Sequence, residues 1–355
     1  MKINELAKIN PKTKLEDNSF INYIDTSSVI DGALLGIQYL DKDYPSRAQR
    51  VVEKFDILIS SVRPNLKHNY FVKVDKENLI ASTGFIQIRC KTNAVIPQYL
   101  YYFLSSEKRV NHYTMIADSS QTTFPSFNKD VIENLEIDLP NLETQQHIVD
   151  TIGSVDDLIE KMEEKLNKIK EYGGLIFNKT IDCNLIDLLK IAKFEKGKEI
   201  GSANYLDKQK TNSVPYIRVG NLLNGEYDTY VVNSDCPQCD YEDILIAFDG
   251  APGRNIIGLK GCYSSGVQKV VCDKENKGYI YFYINSELCQ NTIKVHSQGT
   301  TILHASKSIK ELKIPIISSD NKNLLNSLFN EMVSLIKQKK KLKKEKDLLL
   351  KKYFG

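Results

Sequence analysis

The residues best suited to chemistry lie in the second half of the chain. Cys236-Pro237-Gln238-Cys239 has the two-residue gap of a zinc site, and Cys262 and Cys272 would complete four thiols. The spacing of that second pair is too wide for a zinc ribbon, and no thioredoxin-like pattern surrounds the first pair. Gly253 and Gly258 are spaced like the glycines of a phosphate loop. Leu259 stands where the lysine belongs, however, and Gly261 rather than Ser or Thr follows Lys260, so Asp249-Gly250-Ala251-Pro252-Gly253 reads as a turn. Asn10-Pro11-Lys12 is not the Asn/Asp-Pro-Pro-aromatic loop that holds a flipped adenine. Glu311-Leu312-Lys313 fits a nuclease-like acid-x-lysine triplet but lacks a placed aspartate partner. The five histidines are scattered and suggest no Ser/His/Asp grouping. These patterns assign no catalytic residue and no metal ligand.

The elements around these residues are more informative. From Ile148 onward, Ile152, Val155, Ile159, Met162, Leu166 and Ile169 continue a heptad stripe. Asn141 is placed to cap this helix and Glu143 suits its first turn. About 35 residues of helix would be roughly 50 Å long and need a partner stripe. The C-terminal stretch supplies one in Leu325, Leu328, Met332, Leu335, Leu342 and Leu349, with Lys339 and Lys346 falling in the seam. Across 156–172 six acids meet four lysines, a net of −2, whereas across 337–352 nine lysines meet two acids, a net of +7. Opposite charges beside matched stripes favour pairing of the two helices with each other. Gly173-Gly174 interrupts the first stripe and reads as a kink or a close approach of the partner helix.

The chain also repeats. Leu6-Ala7-Lys8-Ile9 is echoed by Ile191-Ala192-Lys193-Phe194, and Asp56-Ile57-Leu58-Ile59 by Asp243-Ile244-Leu245-Ile246. Ser82-Thr83-Gly84 matches Ser264-Ser265-Gly266, Ser106-Glu107 matches Ser286-Glu287, and Leu135-Glu136-Ile137 matches Leu312-Lys313-Ile314. Matches in constant order indicate a tandem duplication, each half being a module followed by a long helix. The modules mix short β-rich runs at 57–60, 85–88, 244–248 and 269–271 with one helical stretch, at 97–112 or 278–293. This is an α+β fold. The expected boundaries are 1–140, 141–178, 179–320 and 321–355. The metal pattern has no counterpart in the first module, so metal is not part of the shared fold.

Net charge is only +3, and the C-terminal helix supplies more than that, so any nucleic-acid surface must be local. The N-terminus is no signal peptide, and no apolar run approaches membrane-spanning length. With seven cysteines, these features point to a reduced, cytoplasmic location.

Two β-rich modules, each followed by a heptad helix, resemble the specificity subunit of type I restriction–modification systems. The local wording is similar as well: Tyr23-Ile24-Asp25-Thr26, Pro45-Ser46-Arg47-Ala48 and Val62-Arg63-Pro64-Asn65-Leu66, then Arg218-Val219-Gly220-Asn221-Leu222. The helix entry Leu139-Pro140-Asn141-Leu142-Glu143-Thr144-Gln145-Gln146 resembles the family's opening, which the second helix lacks. The resemblance implies two pseudo-symmetric target-recognition domains separated by two long antiparallel coiled-coil helices. Each domain would read half of a split sequence in double-stranded DNA. The helices would act as spacer and dock two methyltransferase subunits, with restriction/translocase subunits joining through the complex. The chain itself would be non-catalytic and carry no cofactor, S-adenosylmethionine, ATP and Mg belonging to partner subunits. The alternatives are a self-sufficient methyltransferase or nuclease, and a stand-alone two-headed DNA-binding regulator.

Under that reading, DNA contacts belong in loops rich in Arg, which suits guanine, and in Asn or Gln, which suit adenine. They are Arg47, Arg50, Arg63, Asn65, Lys67, Gln121 and Thr122 in the first module, and Arg218, Arg254, Asn255, Lys260, Ser264 and Thr300 in the second. The stripe residues Ile148 to Leu166 and Leu328 to Leu349 form the partner-binding helices.

Overall fold

The apolar runs at 57–60 and 244–248 become the strands Ile57–Ser60 and Ile244–Ala247, each an inner strand of a four-stranded antiparallel sheet. They are seen in a computed structural model that describes residues 1–13, 19–30, 32–91, 93–119, 125–178, 184–232, 236–297 and 305–355. The chain divides into two units, residues 1–157 with 343–355, and residues 158–342.

In the first unit the sheet order is Ala7–Ile9, Phe85–Cys90, Ile57–Ser60, Asn69–Phe71. Successive side chains of a strand point to opposite faces. Ile57 and Ile59 therefore enter one core with Tyr99, Leu100 and Ile148, while Leu58 enters another with Ile24, Leu79 and Phe85. Cover on both faces explains an unbroken apolar run. Each such side chain contributes about 1.5–3 kcal/mol by burial. A second sheet, ordered Gln38–Leu40, Ile21–Ile24, Leu79–Ser82, Ala48–Val51, contains one parallel pair, Ile21–Ile24 with Leu79–Ser82.

The second unit repeats this topology. Its first sheet runs Ala192–Lys196, Val267–Cys272, Ile244–Ala247, Asn255–Ile256, and its second runs Tyr230–Val232, Ser213–Ile217, Gly261–Tyr263, Gln238–Cys239. Again one pair is parallel, Ser213–Ile217 with Gly261–Tyr263. Ile244 and Ile246 enter one core, Leu245 and Ala247 another. Even the ties at the module base recur: Ile3 N donates to Leu135 O at 3.0 Å, and Leu188 N to Leu312 O at 2.9 Å. The tandem duplication is thus a duplication of fold.

Each single helical stretch of the sequence reading is two helices. Pro97–Ser105 and Glu107–Asp118 break at Ser106, and Lys277–Ile284 and Glu287–Val295 break at Ser286. Ser106 is extended (ψ 150°), and Ser286 Oγ caps the next helix by accepting from Cys289 N. The repeated Ser-Glu was that signal, a cap followed by a first-turn acid.

The long helices are Leu142–Asn178 and Ser319–Phe354, of 37 and 36 residues. Asn141 caps the first, its Oδ1 accepting from Thr144 N at 2.9 Å. Gln145, fully buried, accepts from Ile96 N (2.9 Å) and donates to Ala94 O (3.0 Å), fastening the helix to its module. The second helix lacks the family opening, yet Asn326 Oδ1 accepts from Gly278 N at 2.7 Å and makes the equivalent tie. Both lysines of the second seam meet acids of the first helix. Lys346 lies 2.7 Å from Asp156 in the first unit, and Lys339 lies 3.1 Å from Glu163 in the second. Glu331 with Lys165, at 2.6 Å, shows that the helices run antiparallel in the second unit. The Gly173-Gly174 pair corrects an expectation: helix continues through it, and the group pressed onto Gly173 is the Phe282 ring, where a Cβ would overlap it.

Candidate nucleic-acid interface

Strand direction decides which loops meet. In the first unit the parallel pair ends at Ile24 and Ser82, so Asp25 and Thr83 leave at one edge. Two more loops join them: Thr83 N donates to Arg47 O at 2.8 Å, just before Ala48–Val51 pairs with Leu79–Ser82, and Ser61 N donates to Gly84 O at 2.9 Å, where Ile57–Ser60 of the other sheet meets the start of Phe85–Cys90. Gly84 has no room for a side chain, since a Cβ there would lie 2.9 Å from the Thr26 methyl. Asp25 accepts from Ser27 N (3.0 Å), Ser27 Oγ (3.0 Å) and Tyr23 OH (3.1 Å). Burial pushes the Asp25 carboxyl up, but these hydrogen bonds outweigh it and hold it below the usual carboxylate range. Burial lowers His68 from its ordinary value, with Asp25 opposing.

The loop after Ile57–Ser60 is a rigid turn. Arg63 (φ 47°) and Lys67 (φ 51°) are both left-handed. Pro64 is buried between them, whereas Arg63, Asn65 and Leu66 are exposed. Arg63 N donates to Pro125 O at 2.8 Å, Leu66 N to Arg63 O at 2.9 Å, and Lys67 N to Pro64 O at 3.0 Å. From below, Ser60 N donates to Asn69 Oδ1 at 3.2 Å. Arg63, Asn65 and Lys67 are therefore brought together, at the same edge as exposed Arg47. Arg50 lies half-buried on the edge strand Ala48–Val51, its Nε without a hydrogen-bond partner among the described residues, and burial lowers its pKa. Gln121 and Thr122 lie outside the described residues. Just beyond them, Phe127 N donates to Ser61 O at 3.0 Å, inside the same loop cluster.

In the second unit the corresponding edge gathers 217–221, 247–254 and 264–266. Ser264 N donates to Ile217 O at 2.9 Å, and Gly253 N to Ala247 O at 2.9 Å. The turn after Ile244–Ala247 carries glycine at its left-handed positions, Gly250 (φ 78°) and Gly253 (φ 82°). Arg254 lies there, with no side-chain hydrogen bond or ion pair among the described residues. Asn255 pairs with Asn285 through both amides, at 3.2 and 3.0 Å. Arg218 is held 3.0 Å from Asp228, with its guanidinium over the Tyr205 ring at 5.6 Å. Burial raises Asp228, but bonds from Asn221, Thr229 and Arg218 overcome it and keep the carboxyl low. Ser264 is buried and serves the scaffold. Thr300 lies outside the described residues, and soon after it Ala305 N returns to Phe248 O at 2.8 Å. Lys260 is not brought to this edge. It precedes Gly261–Tyr263, at the opposite end of the strand from Ser264, 3.3 Å from Asp240.

The helix stripes are spent largely within the chain. Ile148 and Ile152 are buried in the first unit's core; Leu166, Met332 and Leu335 are buried in the second's, with Met162 and Leu328 packed against it. Leu349 packs on the first core, and Val155, Ile159 and Leu342 are half-buried. A protein touching these helices would meet their outer faces. Cys236, Cys239 and Cys262 are buried, with Cys239 Sγ 3.4 Å from Gly261 O, and Cys272 packs in a different core. Burial pushes Cys239 and Cys262 up to about 12. No group of three or more metal-ligating side chains occurs among the described residues, and none of their helices is long and apolar enough to cross a membrane.

Sequence reasoning missed the left-handed turn at Arg63 and Lys67, because non-glycine residues give no local warning of positive φ. It also missed the roles of Asp56 and Asp243. Asp56 Oδ2 accepts from Glu53 N at 2.8 Å and Asp243 Oδ2 from Asp240 N at 2.9 Å, the same turn in both units. The recurring aspartate before each apolar run was its signal.

The profile of the family described as the type I restriction modification DNA specificity domain matches residues 1–171 and again 182–348. The HindI specificity subunit of Haemophilus influenzae is 33% identical over 165 residues, 46% of this chain and 36% of that protein. The MjaVIII specificity subunit of Methanocaldococcus jannaschii is 26% identical over 197 residues, 54% of this chain and 45% of that one. These matches thus span less than half the length of either relative. The type I restriction–modification S subunit from M. genitalium shares the fold, with a TM-score of 0.55 at 16% identity, covering 100% of this chain and 95% of that one.

Proposed function

The chain belongs to the family of the type I restriction modification DNA specificity domain and carries two copies of it, and from this premise we propose that each unit reads one half of a bipartite DNA target. The observation that carries this reading is a shared scaffold with divergent loops at one edge. That edge carries Arg47, Arg63, Asn65 and Lys67 in the first unit and Arg218, Arg254 and Asn255 in the second, with the loops after the equivalent strands Ile57–Ser60 and Ile244–Ala247 supplying all but Arg47 and Arg218. Two units with one topology and different donors suit two different half-sites, since donor pattern specifies the base. The half-buried Arg50 lies on the strand Ala48–Val51 that starts at this edge, and Gln121, Thr122 and Thr300 are assigned to the same reading role. Lys260 and Ser264 are better read as structural.

The long helices act as spacer and dock two adenine methyltransferase subunits through their outer faces, with restriction/translocase subunits joining through that complex in the cytoplasm. S-adenosylmethionine, ATP and Mg act on those subunits, and this chain is non-catalytic. The test is capture of an adenine methyltransferase by the full chain, followed by sequencing of the adenines that the complex methylates. A split site with two independent halves is expected. Methyl transfer by the chain alone would instead make it an enzyme, and tight site-specific binding without partners would make it a regulator.

A further inference from the structure

The two units place one loop at the same point of one topology, and they build it from opposite residue types. After Ile244–Ala247 the left-handed positions are Gly250 and Gly253, where glycine adopts positive φ without steric cost. After Ile57–Ser60 they are Arg63 and Lys67, which adopt it at a cost. A strained side chain kept where glycine serves the sister fold marks a position whose side chain is used. The segment between them ends in Leu66, which is 46% exposed and flanked by Arg63, Asn65 and Lys67. Its backbone is pinned by Leu66 N to Arg63 O at 2.9 Å and Lys67 N to Pro64 O at 3.0 Å. The Leu66 side chain is therefore presented from a preorganised turn.

Resting on the DNA-reading role above, we propose that Leu66 is a specificity residue that reads a thymine methyl in the first unit's half-site. Arg63, Asn65 and Lys67 offer hydrogen bonds to base edges or phosphates, and Leu66 offers none. The apolar group that a base pair presents in the major groove is the C5 methyl of thymine. A leucine among donors on a basic turn matches that mixed surface. The second unit has no such leucine between Gly250 and Gly253, only Ala251 and Pro252.

The test uses the full chain assembled with its methyltransferase and synthetic duplexes carrying the mapped site. Each thymine of the first half-site is replaced in turn by deoxyuridine, which removes the methyl alone. The native complex is expected to lose about fourfold in methylation rate at one position, the equivalent of one methyl contact. Leu66→Ala should lose a similar factor on the thymine duplex and show no further loss with deoxyuridine. Its melting temperature should match the native chain's, and the second half-site should be read unchanged. A half-site without thymine, or equal deoxyuridine responses in the native and Leu66→Ala complexes at every position, overturns the proposal. Absence of any split methylated site would instead defeat the underlying reading, so the two failures are distinguishable.

Discussion

The loops 60–69 and 247–255 spring from strands that are interchangeable in role, yet they share almost no chemistry. Beneath them, Ile59 and Ile246 point into the helix-facing cores, while Leu58 and Leu245 point into the cores of the second sheets. Above them, one turn is basic and strained, and the other is glycine-rich and relaxed. A packed core tolerates only side chains of the right volume and face, whereas a surface loop held at both ends tolerates any sequence that completes the turn. Duplication thus preserved what packing constrains and left the edge free to diverge.

If the scaffolds are equivalent, the same core damage should cost the same in both. Ile59→Ala and Ile246→Ala should each destabilise their own unit by about 2–5 kcal/mol, measured by denaturant unfolding with hydrogen exchange to assign the unit. A large inequality would break the comparison at its base.

The first long helix contains a sharper pair. Gly173→Ala should cost about 1–3 kcal/mol, because the new methyl overlaps the Phe282 ring. Gly174→Ala, with open space around its Cβ, should gain about 0.5–1 kcal/mol from helix propensity. Thermal melts of the two variants should shift in opposite directions.

At the loops, Arg63→Gly should stabilise the first unit by up to about 1 kcal/mol, and Gly250→Ala should destabilise the second by about 1–2 kcal/mol. Arg63→Gly should nevertheless weaken reading of the first half-site. Loss of stability in Arg63→Gly would show that the side chain is structural.

The smallest effect concerns pH. His68 in the folded chain binds its proton less readily than an ordinary histidine, because burial disfavours the charged ring. The unfolded chain therefore takes up protons first, and stability present above about pH 6.5 falls as pH drops below it. The first unit should soften between neutral and mildly acidic pH, and His68→Gln should flatten that dependence. Arg254 stands at the comparable place in the second unit, so the second unit should show no such slope from that loop.

The sequence alone determined the repeat, the apolar runs and the paired stripes, because spacing encodes which face is buried. Asn141 as cap and the strands 57–60 and 244–247 were legible for that reason. The helix breaks at Ser106 and Ser286 were legible in principle too, because an extended serine followed by a first-turn glutamate is a local signal. Only tertiary structure decided what presses on Gly173, since Phe282 is remote in sequence and helical periodicity carries no partner identity. It also decided which donors share an edge. Lys260 and Ser264 are four residues apart in the chain, yet strand Gly261–Tyr263 carries them to opposite ends of the sheet. Arg47 and Ser61 reach Gly84 because Ala48–Val51 begins where the parallel pair ends, and Ile57–Ser60 ends where Phe85–Cys90 begins. That convergence arises from hydrogen bonding between strands, an interaction between distant residues that leaves no pattern in the order of amino acids.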